Sequence, residues 1–371
     1  MSETSSFFAE GGVQVSAPGR VNLLGEHTDY NDGYVLPIAI PLRTHVQAAH
    51  SADGRFHVYS SNLDESADFE ADGELPEGYA RYVAGCVHVL RDHGVDVPPL
   101  ALKVHSDVPM GSGLSSSAAL EVAVLRALRR LLGLDLDDVQ IAQYAQQAEI
   151  RYAGVQCGIM DQMASSLADV DHMLFLDTRT LERRLLPMPA NSELIVIDSG
   201  VARTLATSKY NERFAECREA ARLLGVPMLR DVTDVRALAG LPTTLQKRAR
   251  HVVTENARVL AAVAENLDAA AFGRLMDASH ASLRDDYEVS IPALDTLCDM
   301  LRAEDGVYGA RLTGAGFGGA CIALCTTGRA ADIAGRVATR YNRDRLLQLA
   351  GVLLPAPSPE DGANQPQPLF D

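Results

Sequence analysis

Positive charge is scarce in this chain. Lys and Arg number 33 against 49 Asp and Glu, which leaves a formal net charge of −16. A nucleic-acid binder would present a basic face, and an anionic membrane would repel this surface, so no nucleic acid and no membrane is expected among the partners. The six cysteines, at 86, 157, 217, 298, 321 and 325, include no Cys-x-x-Cys pair. Reduced core thiols in a cytoplasmic protein are the plain expectation. No run of about 18 apolar residues occurs, so nothing reads as a membrane span. Met1 to Gly12 lacks a basic region followed by an apolar run, and no signal peptide is expected there. His-Glu-x-x-His, a nucleophile elbow and a protein-kinase catalytic loop are also missing, which sets those three chemistries aside.

What is present is an ordinary globular composition, 47% hydrophobic and 22% charged. At 371 residues the chain exceeds what one hydrophobic core usually supports, so two domains are expected. Residues 13–17 and 35–50 read as strands, and 46–50 with 56–59 as a hairpin across Asp53-Gly54. Helices are expected over 79–93, 118–132 and 137–152; in the second, Leu120, Val124, Leu128 and Leu131 show helical spacing that Gly133 stops. Strands follow at 171–178 and 193–198, and 209–280 is mostly helical. This shift puts a boundary near residue 180, giving domains 1–180 and 181–371. From about Pro355 onward, five prolines fall in 17 residues, and this tail is expected to be mobile. No sustained heptad pattern argues for a coiled coil, so a monomer is expected.

The densest chemistry lies at 17–33, where Arg20, Asn22, Glu26, His27, Asp29, Asn31 and Asp32 are punctuated by Gly19, Gly25 and Gly33. Each of these polar groups, if buried, needs a partner or costs roughly 1–3 kcal/mol. A polyhydroxylated ligand would supply partners, so the segment suggests a sugar site. A calcium loop at Asp29 fails, because Ile40 stands where the bidentate acid belongs.

A second motif, Pro109 to Ala119, sets Gly111-Ser112-Gly113-Leu114-Ser115-Ser116-Ser117 between an expected strand (100–105) and a helix. Glycines allow close approach, and a helix N-terminus offers free N–H groups to an anion. An ordinary Ser/Gly turn with a helix cap would look similar, and no Walker lysine follows. The third motif, Thr313 to Gly319, contains Gly-x-Gly-x-x-Gly but leads into the strand-like run 321–325, not into the helix a dinucleotide site needs. It reads as a turn between strands, either approaching a ligand or merely tight. In the fourth, Gln156 to Gln162, Asp161 is either a functional acid or a solvated loop residue, with Glu149 twelve residues before it.

In this order, the three glycine-bearing segments resemble those of the GHMP small-molecule kinases, the superfamily of galactokinase, homoserine, mevalonate and phosphomevalonate kinases. Gly19 to Tyr30 is similar to the galactokinase signature, and further similarity runs through 157–161, 204–210, 256–258 and 279–286. The resemblance implies an α+β, two-domain fold, with an N-terminal ribosomal-protein-S5-like domain, a C-terminal ferredoxin-like domain and the active site in the cleft between them. It implies an ATP-dependent enzyme that phosphorylates the anomeric hydroxyl of galactose with Mg²⁺. By carry-over, Glu26, His27, Asp29, Gly158 and Tyr210 would bind the sugar, Asp161 would act as base, and Arg20 would orient it. Gly111, Ser112, Gly113, Leu114, Ser115 and Ser116 would wrap the ATP phosphates, and Ser117 and Glu149 would hold the metal. The family commonly has a tryptophan near the adenine; this chain has none, and Tyr79 stands in the corresponding place. Rival substrates are N-acetylgalactosamine, galacturonic acid and arabinose. A sugar sensor without turnover is the rival from another class, and it is disfavoured by the intact run Ser115 to Ala119.

Overall fold

The computed structural model describes residues 12–202, 206–264, 267–343 and 349–355. The Pro-rich tail, Thr204 and the first eleven residues lie outside them. The first half runs β1 (Val13–Asn22), β2 (Tyr34–Val35), β3 (Pro37–His50), β4 (Phe56–Ser60), β5 (Glu65–Phe69), α1 (Tyr79–Asp92), β6 (Leu100–Ser106), α2 (Ser116–Leu132), α3 (Asp138–Ala148), α4 (Met160–Leu167), β7 (His172–Asp177) and β8 (Arg183–Pro187). The second half runs β9 (Ser192–Asp198), α5 (Ala206–Leu224), α6 (Thr243–Ala264), α7 (Ala269–Asp285), α8 (Pro292–Arg302), β10 (Val307–Leu312), β11 (Ala320–Thr326), α9 (Ala330–Asn342) and β12 (Gly351–Leu354). The class is α+β. One sheet is ordered β1-β3-β6-β4-β5, a second β10-β11-β9-β12, and a small third β2-β7-β8.

Most expected elements form where the pattern put them, and local chemistry explains their ends. Helix α2 stops at Gly133 in the left-handed conformation, and α3 starts at a capping box in which Asp137 accepts from Val139 and Gln140. The hairpin across Asp53-Gly54 does not form. Strand β6 inserts between its arms, pairing antiparallel with β3 and parallel with β4. Its residues Leu100, Leu102 and Val104 form one buried apolar face, and its backbone pairs on both sides, so the strand sits inside the sheet rather than at an edge. A division at residue 180 passes through the turn of the β7–β8 hairpin, whose last pair is Leu176 with Arg183. A division between Pro187 and Ser192 leaves every strand pair intact.

The two halves share a core. Val21, Leu23 and Leu36 pack in one cluster with Val196, Val259, Phe272 and Ile322, each fully buried. Each such side chain contributes roughly 1.5–3 kcal/mol. Charge ties the same junction. Arg311 on β10 is 0% exposed; its Nη2 donates to Glu26 Oε2 at 2.6 Å, Nη1 to the Leu23 carbonyl, and Nε to that of Leu312. Its Nη1 also lies 3.7 Å from Glu255 on α6. Glu255 in turn accepts from the Gly25 N–H, from Ser279 and from Arg258. Burial opposes ionisation of Glu255, but Arg258, His251 and Arg311 outweigh it and hold the carboxyl down to about 2. We expect Arg311→Met to lose about 3–5 kcal/mol of stability in urea titrations, because two buried carboxylates lose their shared cation; a loss under 1 kcal/mol would refute the tie.

Candidate functional site

Segment 17–33, the Gly/Ser loop 109–117 and the start of α4 meet at one cavity of ≈ 280 Å³. Its walls include Arg20, Glu26, His27, Asp29, Gly113, Ser115, Ser116, Ser117, Glu149, Gly158, Asp161 and Tyr210. Twelve of the residues singled out from sequence therefore converge on one space. Gly111, Ser112 and Leu114 stand behind it. Ser112 donates to the Pro109 carbonyl, and Leu114 is buried while its carbonyl accepts from Arg20 N.

Asp161 is the best-framed group. Arg20 Nε donates to its Oδ1 at 2.9 Å and Nη2 lies 2.7 Å from the same atom, while Ser115 Oγ donates to Oδ2 at 2.5 Å. Arg20 is held from behind, with Nη1 donating to the Gly113 carbonyl at 2.6 Å. The carboxylate nonetheless stays 31% exposed, open to whatever enters the cavity. Ser115 takes a left-handed conformation (φ 61°), which turns its hydroxyl to Asp161 and leaves α2 without a side-chain cap. The helix-cap reading of this loop therefore fails, and the first-turn N–H groups are left for an anion.

The third glycine-rich loop earns its glycines from this same neighbourhood. A Cβ on Gly314 would lie 2.7 Å from the Gly113 carbonyl oxygen, and one on Gly319 2.5 Å from that of Ser112. The Ala320 N–H donates to Ser112. The turn joins β10 to β11 as expected; it packs on the backbone of the Gly/Ser loop, and its Ala315 lines the cavity. Gly158 is similarly constrained, since a Cβ there would sit 2.0 Å from Asp29 Oδ2.

Four carboxylates surround the cavity and only Arg20 among its walls is a permanent cation. Burial pushes Glu26 up to about 7, against the pull of Arg311 and Arg20. Burial and then Asp161 push Asp29 up to about 6. Glu149 rises to about 7, also from burial and Asp161, although Ser117 and Gln162 donate to it at 3.0 and 2.6 Å. Burial drives His27 well below its ordinary value, so the ring is neutral. Its nitrogens are engaged by Tyr30 Oη and the Ala315 carbonyl.

Ser117 and Glu149 present hard oxygens 3.0 Å apart, a donor pair suited to Mg²⁺. Close by, Glu121 is fully buried, and burial followed by the charge of Glu149 pushes its carboxyl well above the ordinary range, so it stands protonated beside Glu149. Among the described residues no group of three or more His, Cys, Asp or Glu side chains could hold a metal unaided. That fits an ion which takes one or two protein oxygens and fills its shell with phosphate and water.

Tyr79 does not reach this cavity. It lines a neighbouring space of ≈ 660 Å³ with Met110, Leu120 and Val108, and its hydroxyl is anchored at the Val58 and Glu65 carbonyls. The two spaces share Tyr82, Ser116 and Ser117. Sequence pattern did not pick out Tyr82, Gln162, Glu121 or Arg311. For Arg311 a signal existed, a lone charge inside the apolar run 307–312.

The family model for the galactokinase galactose-binding signature matches residues 4–50, that for the GHMP kinases N terminal domain 81–169, and that for the GHMP kinases C terminal 259–343. A galactokinase of Roseiflexus sp. is 47% identical over 324 residues, 84% of this chain and 83% of that one. The crystal structure of Lactococcus lactis galactokinase complexed with galactose superposes with a TM-score of 0.86 at 36% identity, over 92% of each chain. Mevalonate kinase of Methanococcus jannaschii shares the fold at a TM-score of 0.67 and 17% identity, over 93% of this chain and 98% of that one.

The raised carboxylates have a stability consequence. A group raised from 4.5 to about 7 stabilises the fold in its protonated form, and that contribution disappears as pH climbs through the folded value. Between pH 8 and 6.5 each such group should add about 1 kcal/mol to the ligand-free protein, offset in part by proton uptake in the unfolded chain at His27 and His251, whose folded values are lowered by burial. Chemical denaturation across this window checks it, and Glu149→Gln should flatten the profile; an unchanged slope would discard the shift at Glu149.

Proposed function

Because the chain belongs to the galactokinase family of the GHMP kinases, we propose that it is an ATP-dependent galactokinase, transferring the γ-phosphoryl group to the anomeric hydroxyl of D-galactose. The product is α-D-galactose 1-phosphate, and the reaction opens galactose catabolism. One observation carries the reading: the galactokinase signature folds into a cavity wall, and a carboxylate framed by an arginine and a serine faces that cavity.

The site residues divide the work by chemistry. Glu26, Asp29, Tyr210 and the backbone at Gly158 surround the sugar hydroxyls, with His27 beside them. Asp161 accepts the proton of the anomeric hydroxyl, since its exposed carboxylate is the acceptor nearest to both Arg20 and the Gly/Ser loop. Arg20 keeps that carboxylate oriented and adds positive charge where negative charge gathers on the transferring group. The loop from Gly111 to Ser116, with the uncapped start of α2, receives the phosphates. The adenine lies in the apolar space beside Tyr79 and Tyr82. Ser117 and Glu149 hold Mg²⁺, which when bound neutralises phosphate charge. Phosphoryl transfer asks for positioning and charge neutralisation, and these residues supply both.

Burial of the cavity's acids supports the metal. An acidic pocket that takes an anionic nucleotide needs cations beyond Arg20, and an ion at Ser117 and Glu149 would offset the field that lifts Glu149. A monomeric, cytoplasmic protein completes the reading. Six free cysteines support the compartment.

The direct test is Mg²⁺-dependent ATP turnover with galactose, N-acetylgalactosamine, arabinose and galacturonic acid, with the product identified by anomeric NMR. Preferred turnover of galactose supports the reading, and binding of galactose without turnover overturns it. Asp161→Asn should keep galactose binding and lower kcat about 10²–10⁴-fold; a variant within threefold of wild type would remove Asp161 as the base.

A further inference from the structure

A chain of four side chains runs from the core to the rim of the sugar cavity, and chemistry at one end fixes its direction. His27 Nε2 lies 3.2 Å from the Ala315 carbonyl oxygen. A carbonyl oxygen only accepts, so Nε2 carries the proton. His27 is 3% exposed and packed against the rings of Tyr30, Tyr210 and Tyr287. Burial keeps the ring neutral, with Arg213 and Arg311 adding repulsion to a second proton. Its Nδ1 must then accept, and the hydroxyl of Tyr30 donates to it at 2.9 Å. With its proton committed, Tyr30 Oη accepts from Tyr287 Oη at 2.6 Å, and Tyr287 accepts from the Cys217 thiol at 3.2 Å. In this assignment each of the four contacts has one donor and one acceptor, and the Ala315 end is satisfied. Tyr30, Tyr287 and Cys217 are all buried and do not line the cavity.

We propose that Tyr30, backed by Tyr287 and Cys217, is a positioning residue that, together with the Ala315 carbonyl, fixes the tautomer of His27, so that the sugar cavity meets an N–H donor and not a lone pair. This rests on the cavity being the sugar site. A sugar oxygen facing Nε2 is then recognised as an acceptor, and the long contact to Ala315 leaves the proton free to be shared with it. Tyr30 also fixes where the ring points. His27 has a left-handed backbone (φ 63°), and the short turn Asp29–Asn31 brings Tyr30 back beneath it. The two sugar-facing acids Glu26 and Asp29 flank His27, so an error in its donor sense would fall in the middle of the recognition surface.

Ring-nitrogen NMR of the histidine-¹⁵N-labelled full chain tests the proposal without any substrate. The His27 signals are identified by their loss in His27→Gln. The wild type should show a protonated Nε2 and a bare Nδ1; a protonated Nδ1 overturns the proposal even if no variant folds. Tyr30→Phe should move both nitrogens toward a tautomer mixture, and unchanged shifts would overturn it. Tyr287→Phe leaves Tyr30 its own proton and should keep the wild-type tautomer; loss of the tautomer there refutes the assigned direction. In turnover assays Tyr30→Phe should raise KM for galactose about tenfold, with kcat and KM for ATP within about twofold. Equal damage to all three constants would mark a merely structural role. If galactose is not the substrate, the turnover arm fails while the nitrogen shifts stay as stated, so the two failures can be told apart.

Discussion

A guanidinium with no access to water holds this molecule's two halves in register. Arg311 reaches from a strand of one sheet to Glu26, which faces the cavity, and to Glu255, which grips the Gly25 backbone. Desolvating such a cation and its two carboxylates is expensive, and it is offset here by an acceptor for each guanidinium nitrogen. The same feature explains why Glu26 cannot wander. Arg20 and the Gly314 backbone also bear on it, and the short contact from Arg311 anchors its Oε2. Positional accuracy at this wall of the cavity is thus inherited from the packing of β10 against α7 and from Glu255 on α6.

Backbone contact makes the remaining loops act as one body. The Gly/Ser loop and the third glycine-rich loop touch carbonyl to Cα at Gly113 and Gly314, and again at Ser112 and Gly319. A side chain at either glycine would push the loops apart. Arg20 then spans from Gly113 to Asp161, so the loop expected to receive phosphate and the group expected to receive a proton share one support.

The periodic parts of the fold were legible because local chemistry decides them. Gly133 ends a helix, Asp137 starts one, and the apolar stripe of α2 needs no tertiary information. The β3–β4 hairpin was misread because strand order is not local; an Asp-Gly turn looks the same whether its arms meet or admit β6 between them. At the site, the clustered residues were visible because three dense motifs carry them. Tyr82, Gln162 and Glu121 were not, since each sits singly on a helix whose pattern is satisfied without it. Tyr79 matched by place in the sequence, yet its hydroxyl is tied to the β4–β5 hairpin and its ring belongs to the adjoining apolar space.

The left-handed Ser115 has one more implication. By turning its hydroxyl away from the helix it forgoes a cap that elsewhere contributes typically ~1 kcal/mol. The resting protein is left below the stability its own sequence could reach, and the shortfall sits where a ligand can make it good. Such a fold is set to respond to its surroundings. Its resistance to heat, proteolysis and degradation becomes a gauge of how much nucleotide is at hand, rising with occupancy as RT ln(1 + [L]/Kd).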